Sequence, residues 1–225
     1  MTDSALRWRI CADGGEVARQ AAELIRRAAA AAIAARGRFR LVLAGGRTPR
    51  EVYALLLAGQ HDWGHWELYL GDERCLAPSH AERNSVLAAA LLARVPAGAA
   101  HVMPAELGPE AAAEAYVPLV AAGAPFDLVL LGVGEDGHTA SLFPGQVLDT
   151  AAWTVAVHDA PKPPPARVSL GLRALRDTRE VLVLAVGPDK AEAVARWRAG
   201  IDLPIARVTA GLAGHVLLDA AAAGG

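Results

Sequence analysis

Apolar runs rich in Val and Leu alternate along this chain with longer stretches of Ala, Leu, Glu and Arg, and that alternation restricts the fold more than any other feature. A strand that is apolar at every position has no solvated face, so it must be covered on both sides. Parallel sheets with helical crossovers supply that cover. Leu128-Val129-Leu130-Leu131 is the clearest such run and places a strand at 127–132 in mid-sheet. Further strands are expected at 6–12, 39–44, 67–71, 153–158, 180–186 and 215–218, and helices at 15–35, 49–57, 84–93, 109–121, 188–199 and, as a short piece, near 139–143. The expected class is α/β with a mainly parallel sheet.

The 225 residues suffice for one large domain or two small ones. No internal repeat is present. Pro161-Lys162-Pro163-Pro164-Pro165 is stiff and extended but too short to be read as a linker, which leaves 1–225 as one domain. The Ala-rich stretch within 15–35 keeps Val17, Ala21, Leu24, Ile25, Ala28 and Ala32 at helical spacing, as a packed surface helix would. Net charge is −2, which demotes nucleic acid as a partner. The 22 basic residues comprise 20 Arg and only two Lys, Lys162 and Lys190. Cys11 and Cys75 form no CxxC pair and no Cys/His ligand pattern, so a structural zinc is not expected and a reducing cytoplasm fits. The N-terminal MTDSALRWRI has no apolar core of a signal peptide, and the Ala run at 28–35 is too short to cross a bilayer. A soluble monomer or weak homo-oligomer is expected.

In an open parallel sheet, ligands bind outside the carboxyl ends of the strands. Four segments near expected strand ends carry unusual chemistry. In Ala44-Gly45-Gly46-Arg47-Thr48-Pro49, two glycines permit a sharp turn, Thr48 is suited to cap a helix and Pro49 to begin it. Free amides and the helix dipole then converge on a point that favours an anion such as phosphate, although the same residues serve an ordinary turn. Gly71-Asp72-Glu73-Arg74 puts three charges directly after an apolar strand. That is either a solvated loop or a site where the Arg74 fork holds an oxyanion.

The third segment runs Gly132-Val133-Gly134-Glu135-Asp136-Gly137-His138-Thr139-Ala140-Ser141-Leu142-Phe143-Pro144-Gly145. Its glycines match G-x-G-x-x-G, but a dinucleotide site needs a long helix after the third glycine, and Phe143-Pro144-Gly145 forbids one. Asp136 and His138 read better as a carboxylate and the imidazole it orients, a pair able to activate water. A structural loop histidine is the plainer alternative. The fourth segment, His158 to Arg167, offers Lys162 and Arg167 to one anionic group or else is a solvated basic loop. The chain lacks G-x-S-x-G, H-E-x-x-H and G-x-x-x-x-G-K-[ST], so the usual serine hydrolase, zinc protease and P-loop nucleotidase are excluded. His61, His65, His101, His215 and the five Trp residues are read as surface or packing groups.

Taken together and in this order, AGGRTP, GDERCLAPSHAERN, FDLVLLGVGEDGHTASLFPG and PKPPPARVSL resemble the 6-phosphogluconolactonase family over essentially the whole chain. Related glucosamine-6-phosphate deaminases share parts of these motifs, but Arg74 after Glu73 and Thr139-Ala140-Ser141-Leu142-Phe143-Pro144 after His138 favour the lactonases. The resemblance implies a Rossmann-like α/β fold with helices on both faces, of the sugar-phosphate isomerase, deaminase and CoA-transferase type. It also implies metal- and cofactor-independent hydrolysis of 6-phospho-D-glucono-1,5-lactone in the pentose phosphate pathway. By the same resemblance His138 is the base for water, Asp136 its neighbour and Arg74 the group facing the lactone oxygens. Gly45, Gly46, Arg47, Thr48, Asp72, Gly137, Thr139, Lys162 and Arg167 form the implied substrate-binding set. Two positions depart from the family: Arg47 and Arg83 stand where Ser is usual. Arg47 is left open between a phosphate contact and solvent.

Overall fold

The computed structural model describes residues 6–146 and 148–225; the first five residues of the N-terminal stretch and residue 147 lie outside the described residues. Seven parallel strands form the main sheet, in the order β1, β10, β9, β6, β2, β3, β5. They are β1 Leu6–Cys11, β2 Phe39–Leu43, β3 Trp66–Leu70, β5 Ala100–His101, β6 Phe126–Gly132, β9 Thr178–Ala185 and β10 Gly214–Asp219. As the unbroken apolar run requires, β6 is central and buried along its length except at Gly132. A second, antiparallel sheet joins β4 Asp72–Arg74, β8 Arg167–Leu170 and β7 Thr154–Val157.

The chain moves in one direction across the main sheet from β1 through β2 and β3 to β5, then in the other from β6 through β9 to β10. Right-handed crossovers therefore put the helices of the first half, α1 Gly14–Arg36, α2 Arg47–Ala58, α3 Asn84–Leu87 and α4 Ala89–Leu92, on one face. Those of the second half, α5 Pro109–Gly123, α6 Leu172–Arg176, α7 Ala191–Arg198 and α8 Pro204–Thr209, fall on the other. Contacts follow this division, α1 with α2, α2 with α4, and α6 with α8. The direction reverses between the adjacent strands β2 and β6, so the loops leaving their carboxyl ends splay apart and open a crevice there. No helix among the described residues is long and apolar enough to cross a membrane.

At the amino end of the sheet the charges are satisfied within the fold. Asp127 accepts from Arg36 Nη2 at 2.6 Å and from the Arg40 amide at 2.9 Å, and Arg40 Nε reaches Glu67 at 3.0 Å. These pairs tie the end of α1 and the starts of β2, β3 and β6 together. Under β3 and β5, the buried Tyr116 hydroxyl of α5 accepts from the Leu70 amide at 3.0 Å and donates to the His101 carbonyl at 2.8 Å.

Several elements differ from the sequence-based expectation. The 139–143 piece is no helix. It is a tight turn closed by a bridge between Thr139 and Leu142, with Ala140 at φ +49°. The expected helix over 84–93 is broken at Ala88 into α3 and α4. Strands β4, β5 and β8 and helices α6 and α8 were not expected: they are short, and β4 is wholly charged, so they carry little periodic signal. Replacing Tyr116 by Phe leaves the buried Leu70 amide without its acceptor, a loss of about 1–3 kcal/mol. Urea unfolding of Tyr116→Phe should show a lower midpoint with unchanged slope, and an unchanged midpoint would contradict the bridging role.

Candidate active site

At the crevice between β2 and β6 lies a cleft of about 450 Å³. Its first wall is the turn after β2. Tyr53 of α2 fixes that turn from beneath, its hydroxyl accepting from the Ala44 amide at 2.9 Å and donating to the Ala44 carbonyl at 2.7 Å. Gly46 takes φ +109° and occupies the position before the helix, which then begins at Arg47. This corrects the expected Thr48 cap: the glycine lets the chain enter the helix two residues earlier, with no side-chain cap, and Pro49 becomes the third helical residue. The orphan amides of the first turn are those of Arg47 and Thr48. The Arg47 side chain is exposed and does not line the cleft.

The second wall is the charged segment, which forms strand β4 rather than a loop. Strand alternation turns Asp72 and Arg74 to the cleft and Glu73 away from it. Glu73 is 0 % exposed and its carboxylate accepts from the amides of Arg74, Asn84 and Ser85 at 2.7–2.8 Å, holding the start of α3. Buried Arg83 supplies the countercharge, with Nε 3.3 Å from Glu73 Oε2 and Nη1 2.8 Å from Glu106. The departure from Ser at position 83 is therefore structural. Asp72 accepts from Asn84 Nδ2 at 2.9 Å and from Ser141 Oγ at 2.7 Å. Burial pushes the Asp72 carboxyl up, while the Ser141 hydroxyl and the charges of Arg74 and Arg167 pull against that rise.

Arg74 and Arg167 are direct cross-strand partners of β4 and β8, and both line the cleft. Like charges in that relation repel, so the pair creates a local demand for an anion. Arg74 is held by the Glu82 carbonyl, and its buried Nε has no partner among the described residues. Arg167 donates to the carbonyls of Pro164 at 3.0 Å and Lys162 at 2.7 Å, bracing the 161–165 segment. Burial lowers its pKa, an effect that the Asp72 charge opposes.

The third wall follows β6. His138 Nδ1 lies 2.5 Å from Asp136 Oδ1, and the His138 amide donates to the same oxygen at 3.0 Å. Burial would raise the Asp136 carboxyl, but the His138 amide and imidazole outweigh it and hold the group below its ordinary value. An ionised carboxylate only accepts, so Nδ1 carries a proton, and in the neutral ring the lone pair is then on Nε2. Gly134 makes this geometry possible, because a Cβ there would stand 2.0 Å from His138 Nδ1. Gly137 at φ +89° turns the loop, and a Cβ on it would meet Leu203. His138 lines the cleft, whereas Asp136 and Gly137 stand behind it.

Thr139 is buried and donates to the Gly132 carbonyl at 2.9 Å, so its hydroxyl closes the loop and does not face the cleft. Thr48 likewise does not line it. Lys162 does, together with Lys190, but Lys162 is not a free cation: its Nζ lies 2.8 Å from Glu135. The structure thus brings Gly45, Gly46, Asp72, Arg74, His138, Lys162 and Arg167 to one cleft. It adds Asn84 and Lys190, whose roles the sequence alone leaves open. Asn84 packs its amide against Gly45 while donating to Asp72, joining the first wall to the second.

The profile described as glucosamine-6-phosphate isomerases/6-phosphogluconolactonase matches residues 12–217. A 6-phosphogluconolactonase of Streptomyces coelicolor is 43% identical over 217 residues, covering 84% of this chain and 83% of that protein. One of Mycobacterium tuberculosis is 40% identical over 204 residues, covering 82% of each. The solved 6-phosphogluconolactonase of Thermotoga maritima superposes with a TM-score of 0.88 at 27% identity, over 96% of this chain and 100% of that one.

Gly134→Ala should displace the imidazole while leaving the sheet intact. The downfield Nδ1–H proton resonance of His138 should vanish. The Asp136 carboxyl, followed by carbon NMR, should titrate below 3.8 in the parent chain and move upward in the variant. With a depressed folded value, the contribution of Asp136 to stability is present above the ordinary carboxyl range and is lost as pH falls through that depressed value. A parent midpoint at or above 3.8, or an unchanged resonance in the variant, would contradict the pairing.

Proposed function

The chain belongs to the glucosamine-6-phosphate isomerase/6-phosphogluconolactonase family, and from that premise we propose that it hydrolyses 6-phospho-D-glucono-1,5-lactone to 6-phospho-D-gluconate with water activated by His138. The observation that carries this reading is the 2.5 Å contact of His138 Nδ1 with Asp136, inside a cleft that also holds Arg74 and both lysines. The phosphate lies against the Gly45–Gly46 turn at the N-terminal end of α2, where the ammonium groups of Lys162 and Lys190 meet it. That placement sets the lactone carbonyl between His138 and the arginine pair.

His138 Nε2 takes a proton from water as the water oxygen bonds to C1. The carbonyl becomes an alkoxide, and Arg74 offsets its charge in a partly desolvated site. Collapse of the tetrahedral species breaks the bond from C1 to the ring oxygen, which receives the proton from His138. The sum is lactone plus water giving the hydroxy acid, with no covalent bond to the protein. Asp136 keeps the imidazole in the required tautomer and stabilises its charged form. The reaction belongs to the oxidative branch of the pentose phosphate pathway, where the lactone arises by oxidation of a sugar phosphate.

Acid release from freshly generated lactone, measured against spontaneous opening, tests this directly. His138→Ala should fall to the uncatalysed rate, and near-parent hydrolysis in that variant would overturn the assignment. Arg74→Ala should lower kcat by roughly 100- to 1,000-fold, the cost typical of one lost oxyanion donor. Lys162→Arg, which trades a compact ammonium for a wider fork, should raise KM with little change in kcat. A Michaelis constant equal to the parent's would remove Lys162 from the phosphate site.

A further inference from the structure

The only two lysines of the chain both line the cleft, and each is held from behind by a carboxylate that does not line it. Lys162 Nζ is 2.8 Å from Glu135 Oε1 and Lys190 Nζ is 2.8 Å from Asp189 Oδ2. Lys190 holds the Asp189 carboxyl below its ordinary range, and Lys162 adds to that effect from farther away. The four charges therefore form one cluster at the rim.

The Lys162–Glu135 pair is not needed to shape the fold around it. The 161–165 segment is already braced by Arg167 on the Lys162 and Pro164 carbonyls, and by the Ala160 amide donating to the Pro165 carbonyl at 3.1 Å. Lys162, Glu135 and Asp189 are each about half exposed and Lys190 is 22% exposed, and an ion pair between two half-exposed groups such as Lys162 and Glu135 adds little to stability. What they do change is the anion affinity of the two ammonium groups. A carboxylate on each lysine engages the cation that an incoming phosphate needs, and it repels that phosphate at short range.

We propose that Glu135 and Asp189 are built-in competitors of the substrate phosphate, which set how tightly the cleft holds a phosphorylated ligand. The inference rests on the reading above that Lys162 and Lys190 receive the phosphate. The phosphate is remote from the reacting carbonyl and identical in lactone and hydroxy acid, so tighter phosphate binding would hold substrate, transition state and product alike. Binding of that uniform kind lowers KM without raising kcat, and it prolongs the stay of the product. Two carboxylates that must be displaced from the lysines limit that retention.

The test compares Glu135→Gln, Asp189→Asn and the double variant with the parent chain. Affinity for inorganic phosphate is read by calorimetry, inhibition by 6-phosphogluconate in the lactone assay, and activity on unphosphorylated glucono-1,5-lactone as a reference. Each single variant should bind phosphate about two- to five-fold more tightly, with KM and the product inhibition constant falling by the same factor. The double variant should gain more than either. Activity on the unphosphorylated lactone should stay at the parent level, which also reports that the 132–138 loop is intact. Phosphate affinity that is unchanged or weaker would overturn the proposal, the weaker case meaning that the carboxylates instead aim the lysines. If Glu135→Gln disturbs its loop, Asp189→Asn on a separate segment decides the matter. Calorimetry with phosphate reads the competition even if the parent chain fails to hydrolyse the phosphorylated lactone, so the two failures are distinguishable.

Discussion

Two adjacent carboxyl groups buried on β4, just beyond β3, hold the site together. Because Asp72 and Glu73 lie on a strand, they face opposite ways. Glu73 fastens the start of α3 through the amides of Asn84 and Ser85 and the Arg83 charge. Asp72 fastens Asn84 from that helix and Ser141 from the loop after β6. Asn84 in turn packs on Gly45 of the phosphate turn. Three loops from distant parts of the chain are thus tied through one two-residue step. Removing one partner of a buried pair such as Glu73 and Arg83 leaves a charge with no compensation, which typically costs several kcal/mol.

The same step explains the polarity of the cleft. At the amino end of the sheet, Asp127 and Glu67 engage the arginines Arg36 and Arg40 and leave a satisfied network. At the carboxyl end the balance is different. Arg74 and Arg167 face each other across β4 and β8, and burial raises the Asp72 carboxyl beside them against the pull of both guanidinium groups. Cationic charge therefore accumulates where the strand direction reverses, next to a histidine whose tautomer is fixed by Asp136. An anionic ester fits that arrangement better than a neutral one. Stored backbone strain is concentrated nearby, at Ala140 with φ +49°, within the loop that carries His138.

Much of this was legible in the sequence, for identifiable reasons. The parallel strands declare themselves through unbroken apolar runs, and the pairing of His138 with Asp136 through two-residue spacing on a glycine loop. The resemblance carried by the four motifs points to the family by itself. Other features are not local. Nothing in Asp72-Glu73-Arg74 says strand, because what makes it one is the partner β8, more than ninety residues away. Thr48 looked like a cap because it precedes Pro49, whereas the left-handed Gly46 starts the helix sooner. Asn84 reads as the first residue of the expected helix over 84–93 until its amide is seen between Asp72 and Gly45. Lys162 reads as a free cation, and only the fold brings Glu135 to it from another loop.

The central claim is one of placement: phosphate at the 45–48 turn and the two lysines, with the reacting carbon at His138. A crystal structure of the chain with 6-phosphogluconate bound measures that placement directly. The account predicts the phosphate on the amides of the turn, with Lys162 and Lys190 turned toward it. It also predicts the C1 carboxylate within about 3 Å of His138 Nε2 and facing Arg74. A ligand bound the other way round, with its phosphate against His138 and Arg74, would contradict it.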